Sequence, residues 1–112
     1  MKSQITILAG VCGFRTSVDA VSDDAQTVSL TIHSDCEKIK TFAVALTEKG
    51  AIDAYQEISA RKESVILSTS RTVLKGCCAA CVVPNSVYKA MQIAAGLALP
   101  KDIHIQMTKE PE

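Results

Sequence analysis

The chain has no tryptophan, and its two Tyr and two Phe make up only 4% of 112 residues. Its core must therefore be aliphatic, built from Ile, Val, Leu and Ala with three Met. Net charge is absent as well, because twelve Lys and Arg stand against twelve Asp and Glu. Without a basic field there is nothing to neutralise phosphates, so no nucleic-acid partner is expected. The same neutrality gives weak colloidal repulsion and leaves room for a homo-oligomer. The N-terminal run ITILAGV is too short to span a bilayer, so no membrane partner is expected. It gives way to polar Arg15, Ser17 and Asp19, which argues against a signal peptide and for a cytoplasmic protein. A glycine-rich phosphate loop, a serine nucleophile in an elbow, internal repeats and low-complexity segments are also missing. No catalytic motif remains on which to build an enzyme.

What is present reads as one domain over 1–112, closed by a polar tail at 108–112 that is expected to fray. Ile5, Ile7, Ala9 and Val11 alternate along a first strand from Gln4 to about Cys12. Phe14, Thr16, Val18 and Ala20 continue the alternation out of phase, so a bulge or sharp bend is expected at Cys12-Gly13. Ser22, Asp23 and Asp24 mark a turn, and Val28, Leu30 and Ile32 a returning strand, which together make an N-terminal β-hairpin. Ser34 followed by Glu37 reads as a capping box at the start of a helix carrying Ile39, Phe42 and Leu46. A short helix is expected over 51–60. Residues 64–74 fit a strand or a weak helix equally. Pro84 suits the first position of a last helix reaching about Ala98. Ile103, Ile105 and Met107 alternate as a C-terminal strand. The order predicts an α/β (α+β) fold: a two-layer sandwich with two to three helices on one face of a three- to four-stranded sheet that the C-terminal strand completes.

Against these absences stand five cysteines, three of them in LKGCCAACVVPNS at 74–86. In a reducing compartment they point to ligands or thiol chemistry before disulfides, and their odd number resists complete internal pairing. The Cys78–Cys81 C-x-x-C is a single pair, and no second pair completes a zinc ribbon. Cys36 falls at a helix start, where free N–H groups favour a thiolate. Cys81 immediately precedes another helix start, and Cys12 lies at the strand bend. If both helices begin at one edge of the sheet, Cys12, Cys36 and Cys81 can meet, with Cys77 or Cys78 as a fourth ligand. A zinc ion or an iron–sulfur cluster suits such a donor set. Two other readings stay open: a thiol redox or sensor module using Cys78/Cys81 or Cys36, and a non-catalytic oligomerising domain in which cysteines pack as small hydrophobes. His33 and His104 read as solvent-facing strand residues.

The stretches AGVCGF at 9–14, SDCE at 34–37, the segment from Cys81 to Pro84, and AAGLALPKD at 94–102 resemble a small uncharacterised prokaryotic family, a domain of unknown function of archaea and anaerobic bacteria. The resemblance covers nearly the whole chain. Its characteristic cysteines match Cys12, Cys36 and Cys81. The family's Cys-Pro-Val-Pro stands here as Cys81-Val82-Val83-Pro84, without the first proline. The resemblance implies a three-cysteine site, and its anaerobic setting favours iron–sulfur or metal over disulfide chemistry.

Overall fold

The computed structural model describes residues 1–111. Four strands form one antiparallel sheet in the order of the chain: β1 (Lys2–Leu8), β2 (Arg15–Val21), β3 (Thr27–Ser34) and β4 (Ile52–Asp53). Four helices accompany it: α1 (Glu37–Thr47), the single turn α2 (Ala54–Glu57), α3 (Val65–Val73) and α4 (Val83–Ala94). The α+β sandwich with an N-terminal hairpin is thus as expected. None of these helices is long and apolar enough to cross a membrane.

Period-two patterning sets which face is buried. Thr16, Val18 and Ala20 of β2 point inward and are buried, while Arg15 is exposed. α4 covers β1 and β2, α1 covers β3, and α3 bridges the two helices. Phe42, Ile66, Met91, Val18, Val28 and Val87 close the core between the layers without solvent exposure.

The bend expected at Cys12-Gly13 is instead a complete reversal. Gly10 and Gly13 both adopt left-handed φ, at 71° and 69°, around a 3-10 turn at Gly10–Cys12. Ala9 N–H donates to the Phe14 carbonyl across it (3.3 Å). Two left-handed glycines at either end of this turn send the chain back on itself where one bulge would only have bent it. The phase break therefore separates two paired strands, with Lys2 opposite Val21 and Leu8 opposite Arg15.

The expected C-terminal strand does not form. Ile103, Ile105 and Met107 are exposed and carry no strand pairing. Alternation supplies faces, but a strand also needs an edge to hydrogen-bond, and the fourth place in the sheet belongs to β4. α4 stops at Ala94, short of Ala98, because Gly96 takes φ 76° in a Schellman cap. Gly96 N–H donates to Ile93 O (3.0 Å) and Leu97 N–H to Gln92 O (2.7 Å). Pro84 takes the second helical position, after Val83. The ambiguous stretch 64–74 is helical, and the helix expected at 51–60 shrinks to β4 and one turn. The expected frayed tail is exposed and unpaired as far as Pro111, and Glu112 lies outside the described residues.

Candidate cysteine site

Three segments distant in sequence reach one end of the sheet. The first is the β1–β2 turn, which carries Cys12. The second is the exit of β3: Ser34 stands opposite Thr16, and Asp35 N–H donates to the Arg15 carbonyl (3.3 Å), so Cys36 follows at the same end. The third is the entry to α4. Ser3 Oγ donates to the Ala90 carbonyl (2.7 Å), and a Cβ on Gly96 would meet Met1 Cε at 3.2 Å. α4 therefore ends beside the start of β1 and begins beside its finish, next to the Cys12 turn.

Ser34 is not the N-cap. Thr16 holds its hydroxyl across the sheet (2.8 Å), and that hydroxyl also accepts the Cys36 N–H (3.1 Å). The cap position passes to Cys36 itself, and Glu37 becomes the first helical residue. No side chain caps α1 or α4. By contrast, Asp53 caps α2 and Ser64 caps α3. The uncapped helix starts are thus the two at the cysteine end.

The five thiols are free and differ in setting. Cys12 and Cys77 are exposed, whereas Cys36, Cys78 and Cys81 are half-buried against the core. Burial pushes the Cys81 thiol above its ordinary pKa; the Val83 N–H pulls it back in part. The negative charge that Cys78, Cys36 and Cys12 carry when ionised raises it further. Four of the five cysteines therefore share one electrostatic neighbourhood. They do not form a closed ligand shell: among the described residues, no three His, Cys, Asp or Glu side chains are placed to hold a metal ion. His33 and His104 are exposed, as expected.

A model of a family of unknown function, DUF6951, matches residues 3–107. The chain belongs to that family. The match spans every strand and helix of this DUF6951 protein except the first residue of β1, and it includes all five cysteines. No curated protein and no solved structure matches it.

Two features of the site were not anticipated. Leu8, Val11 and Phe14 expose apolar surface around Cys12. Leu8 could have been found, since it falls out of phase with Ile5 and Ile7. The second is Glu57, the buried last residue of α2, set against the start of α3. Its carboxylate accepts from Ser64 Oγ (2.5 Å), Val65 N–H (2.5 Å) and Ile66 N–H (3.2 Å). The Tyr88 hydroxyl donates to the Glu57 carbonyl (3.0 Å), tying α2 to α4. Nothing local marks Glu57, because its partners lie seven to nine residues downstream.

Proposed function

We propose that this chain is a single-domain protein that takes up a zinc ion or an iron–sulfur cluster on thiolates. Cys12, Cys36 and Cys81 are the core ligands and Cys78 the fourth. The observation that carries this reading is that Cys12, Cys36 and Cys78 all act electrostatically on the half-buried Cys81, at the end of the sheet where α1 and α4 start uncapped. Clustered thiolates repel one another, and a bound cation relieves that repulsion. Soft thiolate donors select zinc or iron–sulfur clusters. The free N–H groups of two helix starts favour the negative charge of such a centre.

Uptake closes the ligand shell. The exposed Cys12 turn swings onto the half-buried Cys36, Cys78 and Cys81. Gly10 and Gly13 bracket that turn, and a Cβ at either would meet no atom within 4 Å, so the turn is not wedged in place. Binding releases thiol protons, so affinity rises with pH. Cys78 serves better than Cys77 because it packs against the core and acts on Cys81. A redox role for the C-x-x-C pair fits less well, since a raised Cys81 pKa leaves little thiolate at neutral pH.

The test is anaerobic purification and reconstitution, with metal analysis and visible absorption. One zinc per chain, or iron and sulfide with thiolate-to-iron absorption, is expected. Cys12→Ser, Cys36→Ser and Cys81→Ser should each abolish it, and Cys77→Ser should leave it unchanged. Protein that takes up neither metal, or a Cys77→Ser loss as complete as that of Cys81→Ser, defeats the proposal.

A further inference from the structure

The fourth strand of the sheet is unfinished. β3 runs for eight residues, yet β4 pairs only with its first two, Thr27 and Val28. Residues 29–34 hydrogen-bond to β2 on one side and, among the described residues, have no strand on the other. Beneath this free edge lies a groove of about 230 Å³, lined mainly by Leu30, Ile32, Ala43, Leu46 and Ile52. Leu30 and Ile32 point toward the helices but stay half-exposed, whereas their counterparts on β2 are buried. What the groove lacks is a strand with apolar side chains on one face.

The chain carries such a segment. Ile103, Ile105 and Met107 alternate with His104 and Gln106 and are 60%, 59% and 79% exposed. The family match runs through this segment and stops at 107, so it belongs to the common domain. Its own copy of the β3 edge is badly placed to receive it. The segment leaves α4 beside Met1, on the β1 side of the sheet. β3 lies on the far side, and β4 with α2 occupies the near end of its edge. The free edge of β1 offers a poorer seat, because α4 already covers the inward face of that strand.

We propose that the occupant is a second copy of this chain. Segment 103–107 of each copy pairs along residues 29–34 of the other and continues the line of β4, with Ile103, Ile105 and Met107 filling the groove. Backbone pairing at an exposed edge supplies affinity, and alternate side chains in a groove supply register. The exchange is reciprocal, so it closes as a two-fold dimer and consumes both exposed edges. Zero net charge removes the long-range repulsion that would oppose it.

The 112-residue chain should sediment at about twice its 11.9 kDa mass at micromolar concentration. Amides of 103–107 and 29–34 should gain exchange protection together as the dimer forms. Ile103→Asp/Ile105→Asp should give a monomer with unchanged circular dichroism, because both side chains are exposed in the single chain. A peptide of residues 101–109 added to that variant should restore protection at 29–34. Three results each overturn the proposal: a monomer at every concentration, a dimer that survives the double substitution, or protection of 103–107 where the chain is monomeric.

Discussion

The two ends of the sheet are finished in opposite ways. At the end where β2 turns into β3, polar groups answer one another. The Asp24 carboxylate accepts from Gln26 N–H (3.0 Å), Thr27 N–H (2.7 Å) and Ser22 Oγ (3.3 Å). Asp53 accepts from Tyr55 and Gln56 N–H groups and from Gln26 Nε2, so it caps α2 and clamps the turn at once. At the other end, two helices start without a side-chain cap: Cys36 holds the cap position of α1, and Val82, just after Cys81, holds that of α4. Leu8, Val11 and Phe14 leave apolar surface around them. An end that satisfies itself needs nothing further for stability. An end with open N–H groups and clustered thiols is where a ligand has the most to contribute.

Substitutions separate the interior that both ends share from each end in turn. The largest effect belongs to that interior: Phe42→Ala removes a fully buried ring between the layers and should cost about 4 kcal/mol, read as a lower urea midpoint. Glu57→Ala should follow, at about 3 kcal/mol, since it strands the buried Ile66 N–H and strips two further donors from the start of α3. If the helix starts at the cysteine end were held as firmly as that of α3, removing a thiol there would hurt as much. Ser64→Ala should cost about 1 kcal/mol, whereas Cys36→Ala without metal should change stability by less, because the Cys36 side chain caps nothing. Equal losses from the two would break the comparison.

The ends should also respond to opposite extremes of pH. Asp24 and Asp53 are held below their usual 3.8, the first chiefly by the Thr27 N–H and the second chiefly by Gln26. Their contribution is present above that value and fades as pH falls through the lowered one. Cys81 is raised above its usual 9.0, chiefly by burial. Its contribution is present below that value and fades as pH climbs through the raised one. Urea midpoints measured from acid to alkali should fall at both limits, and Asp24→Asn should remove part of the acid limb only. Alkylation of the metal-free protein at neutral pH should reach exposed Cys12 and Cys77 first and Cys81 last. The smallest effect is expected at the exposed Lys40–Glu37 pair (3.2 Å), where Lys40→Ala should move stability by no more than about 0.5 kcal/mol.

Much of the frame was legible from local pattern. Thr16, Val18 and Ala20, the turn at Ser22 to Gln26, and the stripe of Ile39, Phe42 and Leu46 each read correctly, because period and turn chemistry act over a few residues. Distant partners override local pattern at Ser34. Ser34 has the spacing of a capping box, yet Thr16, eighteen residues away, takes its hydroxyl. Ile103, Ile105 and Met107 have the period of a strand, yet among the described residues no strand pairs with them. Gly13 in the phase break suits a bulge or sharp bend, yet Gly10 and Gly13, both left-handed, together make a reversal. Period and turn chemistry fix what lies within a strand or helix, and contacts such as Thr16–Ser34, eighteen residues apart, fix the rest.

By itself, then, the sequence determined an aliphatic two-layer α+β fold, the faces that β2 and β3 bury, and the three segments in which the cysteines lie. Those follow from side-chain period and composition, which are written locally. Only the tertiary structure decided that α4 runs back along β1, so that its start, the exit of β3 and the Cys12 turn share one end of the sheet. Only it separated Cys78 from Cys77 and set Glu57 beneath α3. These depend on which surfaces find each other across tens of residues, and hydrophobic packing settles that for the chain as a whole.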